Sequence, residues 1–169
     1  MPPKEPAVRV KQVLQVCVVV KDLQVAMERY WNLLGIGPWR VYTYKPPLMV
    51  KSTLRGKEQR YSMRLAVADI GAVNWELVQP LEGPSIYKEF LEKHGEGLHH
   101  VAVATDGYDQ TVAALAKEGI GILMSGTLRT GSTYAYMDTE AALGAIVEIY
   151  KRSKDWVRPE PEAVWPPQT

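Results

Sequence analysis

Residues 15–23 read QVCVVVKDL and residues 100–108 read HVAVATDGY, and the two stretches share one pattern. Each begins with a polar residue, continues through small apolar side chains and ends where a helix can begin. In a β-strand, alternate side chains point to opposite faces of the sheet. A strand followed by a helix, found twice in one chain, predicts an internal duplication.

A second pair of matching stretches lies near the end of each half of the chain. Residues 74–79 are NWELVQ and residues 146–151 are IVEIYK, and each has one glutamate inside an otherwise apolar strand. With the elements between them, the predicted order is β-α-β-β-β, a linking helix, and β-α-β-β-β again. The sequence therefore predicts an α+β fold of two βαβββ modules in tandem, related by a pseudo-twofold axis.

Composition and periodicity set the boundaries of these modules. We expect an N-terminal tail at 1–12, a first module at 13–80, a linking helix at 81–96, a second module at 97–152 and a proline-rich C-terminal tail at 153–169. The C-terminal tail has no periodicity, so we expect it to run extended over the surface, pinned by Trp156 or Trp165.

Capping residues mark the ends of two predicted helices. Asp22 can cap the first helix, which Gly35 can end, and Ser85 can cap the linking helix. The polar residues 45–60 contain two prolines and a glycine, and they are predicted to form a loop.

The overall charge of the chain is close to balanced. Its 169 residues include 20 Lys and Arg against 19 Asp and Glu, so nothing favours nucleic acid or an anionic membrane as a partner. The N-terminus lacks the apolar core of a signal peptide, and no segment approaches the roughly 20 apolar residues that span a bilayer. We therefore expect a cytoplasmic protein that binds a small molecule. The one cysteine, Cys17, is interpreted as a small buried hydrophobic residue.

Four polar side chains occupy paired positions under the duplication. Gln15 opens the first strand as His100 opens its counterpart, and Glu76 corresponds to Glu148 in the last strands. A strand glutamate often points to water, but a buried one is costly unless a partner compensates its charge. A divalent cation shared by both halves would compensate both carboxylates. These four residue types supply two carboxylates, one imidazole nitrogen and one amide oxygen.

A family resemblance supports this hypothesis. The stretches GEGLHHVAV (95–103), ELVQPLEGPSIYKEFLEKHG (76–95) and VVVKDLQVAMERYWNLLGIGPW (18–39) resemble the vicinal oxygen chelate superfamily, and within it the methylmalonyl-CoA epimerases and dihydrodaidzein racemases. The resemblance implies a curved mixed sheet, a homodimer and a divalent Co, Mn, Ni, Fe, Zn or Mg ion. The ligands that it implies are Gln15, Glu76, His100 and Glu148.

The chain departs from the epimerase pattern at two positions. Gln15 stands where the family has a histidine ligand, and the position of the family's glutamate base falls near Met63. Of the adjacent histidines, both the resemblance and the strand alternation select His100 as the ligand and place His99 on the other face.

The resemblance implies a metal-dependent racemase or epimerase that moves a proton at the carbon next to a carbonyl. Glu148 and Glu76 are the candidate bases and Tyr136 is a candidate acid, as are Tyr134 and Tyr61. An isoflavanone-like aromatic ketone and an acyl-CoA thioester are both candidate substrates. Aromatic side chains expected to bind the substrate are Trp39, Tyr42, Tyr44, Tyr61 and Tyr134.

Two other functions use the same scaffold. One is a non-catalytic small-molecule binding protein of the resistance type, which the retained Glu76, His100 and Glu148 disfavour. The other is a lyase or an extradiol-type dioxygenase, which Gln15 disfavours because those dioxygenases bind iron through two histidines and one glutamate.

Overall fold

The computed structural model describes residues 5–152 and 154–167, so residues 1–4, 153 and 168–169 of the two predicted tails lie outside the described part. The strands in the described residues are β1 Gln12–Val19, β2 Trp39–Tyr44, β3 Met49–Leu54, β4 Lys57–Glu58, β5 Met63–Ile70, β6 Val73–Pro80, β7 Gly97–Ala104, β8 Ile122–Leu128, β9 Thr133–Met137, β10 Ile146–Lys151 and β11 Ala163–Trp165. The helices there are α1 Leu23–Leu34, α2 Ile86–His94, α3 Tyr108–Lys117 and α4 Glu140–Leu143.

The two halves of the chain join at the centre of one continuous sheet, whose strand order is β11-β2-β5-β6-β1-β7-β10-β9-β8-β3-β4. On one side of the centre β1 runs parallel to β6, and on the other side β7 runs parallel to β10. The strands β1 and β7 meet antiparallel. This arrangement confirms the predicted α+β fold of two βαβββ modules.

The polar stretch after β2 is not a loop, and that prediction was wrong. Residues 49–54 form β3, which pairs antiparallel with β8 of the second half, and β4 pairs back onto β3. The residues of β3 lack the alternation that is typical of a strand. Met49 and Ser52 are the buried ones, and the register shifts between Met49 and Lys51. Strand pairing with a distant segment therefore decided the structure here.

The position of β3 shows that the sheet curls strongly. In the strand order β2 lies near one end and β3 near the other, yet only residues 45–48 connect them. Such a connection reaches about 18 Å at most, so the two ends of the sheet must approach each other. The sheet therefore encloses an interior.

Side chains of the two sheet faces pack in different hydrophobic clusters. Cys17 and Val19 of β1 pack with residues from both halves in the interior, whereas Val18 and Val20 pack beneath α1. This split confirms the alternation read from the sequence. Burying Leu23 and Met27 of α1 against the outer face stabilises the fold by roughly 1.5–3 kcal/mol for each side chain.

The capping residues act as predicted. The Asp22 side chain accepts a hydrogen bond from the Val25 N–H, and Gly35 ends α1 in the left-handed conformation with φ 66°. Ser85 caps α2 by accepting from the Lys88 N–H. Among the described residues, no helix combines the length and the apolar character needed to cross a membrane.

The C-terminal residues form a strap along one edge of the sheet. This C-terminal strap, residues 154–167, includes β11, which pairs antiparallel with β2. The Glu162 carboxylate accepts from the Thr43 N–H and the Thr43 hydroxyl, both at 2.9 Å. The Trp165 ring lies edge-on to Trp31 with centroids 6.2 Å apart. The tail is thus ordered by strand pairing, which its proline-rich sequence did not indicate.

Candidate active site

A narrow cavity of about 70 Å³ lies in the interior, lined by both halves of the chain. The first half contributes Gln15 and Glu76, and the second contributes Tyr136, Glu148 and Tyr150. These residues come from strands near the centre of the sheet and from β9. The duplication therefore builds one shared cavity.

Strand register explains how the polar side chains reach this place. Cys17 of β1 is paired with Glu76 of β6 on one side and with His100 of β7 on the other. Glu148 of β10 is paired with Ala102 of β7. Because neighbouring strands are about 4.8 Å apart, paired residues on one face lie within contact distance.

The four predicted metal ligands form one continuous cluster. Gln15 Nε2 donates a hydrogen bond to Glu76 Oε2 at 2.9 Å. His100 Nε2 lies 3.5 Å from the same Glu76 oxygen and 3.2 Å from Glu148 Oε2. All four residues are buried, with exposed fractions of 7% for Gln15 and Glu76 and 2% for His100 and Glu148.

One nitrogen in this cluster makes no hydrogen bond. His100 Nε2 is buried and has no hydrogen bond to any described residue, although two carboxylate oxygens flank it. A buried nitrogen without a hydrogen bond is costly, and a cation bound beside it would also compensate the flanking carboxylates. The residues present therefore fit a divalent ion, and Glu76, His100 and Glu148 are the side chains that would hold it.

Burial and the neighbouring charges shift the pKa values of Glu76 and His100 in opposite directions. Burial raises the pKa of Glu76 above its ordinary value, although His100 opposes the shift. Burial lowers the pKa of His100, but neighbouring groups including Cys17 and Glu148 raise it, and the net pKa is well above normal. Without an ion, a proton on His100 supplies the positive charge that the carboxylates require.

His99 orients the ring of His100. His99 Nδ1 lies 2.8 Å from His100 Nδ1, and burial lowers the pKa of His99 to about 3, so His99 is neutral. A neutral His99 can accept from the Nδ1–H of His100, which would leave Nε2 of His100 to face the carboxylates. The two histidines thus differ in position: His100 faces the carboxylates, and His99 packs against the His100 ring.

Tyrosine hydroxyls surround the cluster. Tyr150 donates to Glu148 Oε2 at 2.7 Å, and the hydroxyls of Tyr136 and Tyr87 are 2.5 Å apart. Burial raises the pKa of Tyr136 and of Tyr150 well above the ordinary value, so both stay protonated as donors. Sequence analysis missed Tyr150 as a site residue, although it shares a strand face with Glu148.

The predicted substrate-binding aromatic residues divide into two groups. Tyr42, Tyr44 and Tyr134 line the cavity. Trp39 does not, because it lies on the opposite face of β2 and packs beneath α1 with Tyr30. Tyr61 is also absent from the cavity wall, since its hydroxyl bonds to Ser125 O and to the Tyr134 hydroxyl. Trp39 and Tyr61 therefore lie outside the cavity that the other three residues line.

The C-terminal strap contributes to the cavity wall. Trp156 and Arg158 line the cavity, as does the preceding Arg152. The Arg152 guanidinium lies 4.2 Å from the Trp156 ring centroid and 4.5 Å from that of Tyr150. Arg158 Nη2 donates to Asn74 Oδ1 at 3.1 Å. Two cationic side chains therefore line a cavity that Glu76 and Glu148 also line, and sequence analysis did not predict the position of either arginine.

Known proteins share this architecture. The sequence pattern of the Glyoxalase/Bleomycin resistance protein/Dioxygenase superfamily matches residues 14–136. Uncharacterized protein YqjC of Bacillus subtilis (strain 168) is 26% identical over 140 residues, which cover 82% of this chain and 90% of that protein.

Solved structures agree with this assignment. A methylmalonyl-CoA epimerase in complex with methylmalonyl-CoA and NH4+ superposes with a TM-score of 0.59 at 20% identity, covering 86% of this chain and 97% of the epimerase. The epimerase of Mycobacterium tuberculosis gives 0.59 at 22% identity, with coverages of 85% and 89%. The hypothetical protein BH1468 from Bacillus halodurans C-125 gives 0.61 at 17% identity, with coverages of 87% and 98%. The chain therefore belongs to the glyoxalase/bleomycin resistance protein/dioxygenase superfamily and has the fold of the methylmalonyl-CoA epimerases.

Proposed function

We propose that this protein is a metal-dependent racemase or epimerase that moves a proton at the carbon next to a carbonyl group. The observation that carries the proposal is the buried His100 Nε2, which makes no hydrogen bond and lies between the carboxylates of Glu76 and Glu148, two residues that line a cavity shared by both halves. A divalent ion held there would polarise the substrate carbonyl and so acidify the neighbouring C–H.

Side chains that line the cavity would accept and return the substrate proton. Glu148 Oε2 is occupied by the Tyr150 hydroxyl and lies beside His100, so Oε1 is the oxygen left to accept a substrate proton. Glu76 reaches the same cavity from the first half and is the second candidate base. Tyr136 carries a hydroxyl that burial keeps protonated, so it can return a proton but not abstract one.

Cavity size distinguishes the two substrate classes. Pockets for drug-sized ligands usually measure roughly 300–1,000 Å³, whereas this cavity measures about 70 Å³ with the strap in place. A flat isoflavanone-like ketone exceeds that space, while a small acyl group fits and leaves the rest of a thioester outside. Arg152 and Arg158 beside the cavity suit an anionic substrate of this kind. We therefore favour an acyl-CoA thioester over an aromatic ketone.

Proton exchange in heavy water tests the proposal. The full chain, loaded with Co²⁺ or Mn²⁺, is incubated with methylmalonyl-CoA and other 2-substituted acyl-CoA thioesters, and deuterium at the carbon next to the carbonyl is measured by mass spectrometry. We expect deuterium incorporation by the native protein and none by Glu148→Gln. The exposed Glu92→Gln variant, outside the cavity, should match the native protein.

Two outcomes would contradict the proposal. Thioesters that bind without any exchange would indicate a resistance-type binding protein instead. Unchanged exchange in Glu148→Gln would remove Glu148 from the mechanism.

A further inference from the structure

Cys17 lies among the proposed metal ligands. It is fully buried, and its strand neighbours in register are Glu76 on one side and His100 on the other. Its sulfur, a Glu76 oxygen and a His100 ring nitrogen all lie within 4.8 Å of one another. Four ligands around a zinc-sized ion are roughly 3.3–3.8 Å apart, so small side-chain movements would bring these three into a coordination sphere.

Only the first of the two repeated halves has a sulfur at this position. Under the repeat Cys17 corresponds to Ala102, just as Gln15 corresponds to His100. The second half thus offers an imidazole and then a methyl group on the face that carries the cluster. The first half offers an amide and then a thiol.

The side chain of Gln15 contacts Glu76 through its amide nitrogen. Its Nε2 donates to Glu76 Oε2, which orients the Glu76 carboxylate. The thiol of Cys17 is the β1 group that lies close to both Glu76 and His100, and it does not line the cavity, so it cannot act on a substrate directly. It can contribute to function through an ion that also binds the buried His100 Nε2, which makes no hydrogen bond.

We propose that the Cys17 sulfur is a direct ligand of the divalent ion, beside Glu76 and His100, and that Gln15 positions Glu76 instead of binding the ion. This inference rests on the cation of the proposed function. A thiolate ligand makes the site select Co²⁺ and Zn²⁺ over Mg²⁺ and Mn²⁺. On binding, the S–H bond breaks, the sulfur–metal bond forms and the proton leaves to solvent.

Cobalt absorption tests the assignment. Apo-protein is titrated with Co²⁺ while the near-ultraviolet thiolate-to-cobalt charge-transfer band and the visible d–d bands are recorded. We expect both sets of bands in the native protein. Cys17→Ser and Cys17→Ala should lose the charge-transfer band, with a fall in Co²⁺ affinity of about 100-fold and little change for Mg²⁺.

The alanine variant reproduces the residue that the second half already carries, so it is the variant expected to fold, and a far-ultraviolet circular dichroism melt checks this. Visible bands without a charge-transfer band in the native protein would overturn the Cys17 assignment and leave the cation of the proposed function standing. An absence of any Co²⁺ binding would overturn both.

Discussion

The Tyr150 hydroxyl donates a 2.7 Å hydrogen bond to Oε2 of Glu148, two residues earlier on the same face of β10. Strand periodicity alone places the two side chains side by side. The bond has an ionised acceptor and a buried setting, so it is stronger than an ordinary hydrogen bond between neutral groups. Tyr150 therefore holds the orientation of the carboxylate that we propose as the base.

Removing this hydroxyl should weaken both fold and function. We expect Tyr150→Phe to lower the free energy of unfolding by about 1.5–3 kcal/mol, because Glu148 loses a buried charge-assisted hydrogen bond. The same change should slow proton exchange by about tenfold or more, since the carboxylate is no longer fixed. Urea unfolding and deuterium incorporation measure the two effects. Tyr108→Phe on α3 is the control, and an equal loss there would refute a specific role for Tyr150.

Adding metal should stabilise the folded protein. An ion present at 100 times its dissociation constant contributes about 2.7 kcal/mol, which raises the Tm by roughly 5–10 °C in a chain of this size. We expect chelator treatment to reverse this rise and His100→Ala to abolish it. His94→Ala changes a histidine outside the cluster and should keep the full shift. Differential scanning calorimetry decides between these outcomes.

Metal affinity should increase with pH. His100 has a raised pKa, so below that pKa the ion must displace its proton before binding. Each displaced proton weakens apparent binding by about tenfold for every pH unit below the pKa. Titration calorimetry between pH 6 and pH 8, in two buffers of different ionisation enthalpy, should show the increase together with proton release. An affinity independent of pH would mean that His100 binds no ion.

The C-terminal strap should detach when its main polar anchor is removed. Glu162→Ala removes both hydrogen bonds to Thr43, which hold the strap against β2. We expect faster tryptic cleavage after the exposed Lys154 and faster ligand association, because Trp156 and Arg158 would leave the cavity wall. Glu160→Ala, two residues earlier, makes neither contact and should behave as the native protein. Equal cleavage rates in both variants would show that strand pairing alone fixes the strap.

Local patterns were enough to predict much of this molecule. Alternation separated Cys17 from Val18, and the repeat paired Glu76 with Glu148, because both follow from strand geometry. The helix caps at Asp22 and Ser85 are equally local. These features depend on residues that are close in sequence.

Features that depend on distant pairing were not predictable in the same way. The strand β3 forms because β8, from the other half, offers an edge, and its own residues alternate poorly. The position of Cys17 between Glu76 and His100 required the register of three strands. The strap closes over the cavity through Thr43, more than a hundred residues away in the chain.

The pairing of β3 with β8 also governs how the chain acquires its structure. Neither half can complete its share of the sheet alone, because β3 of the first half pairs with β8 of the second half. Because β3 and β8 are far apart in the chain, their pairing raises the contact order, and closing the loop between them should make folding slow. The two halves should therefore fold together. Separately expressed halves should then gain order only when mixed.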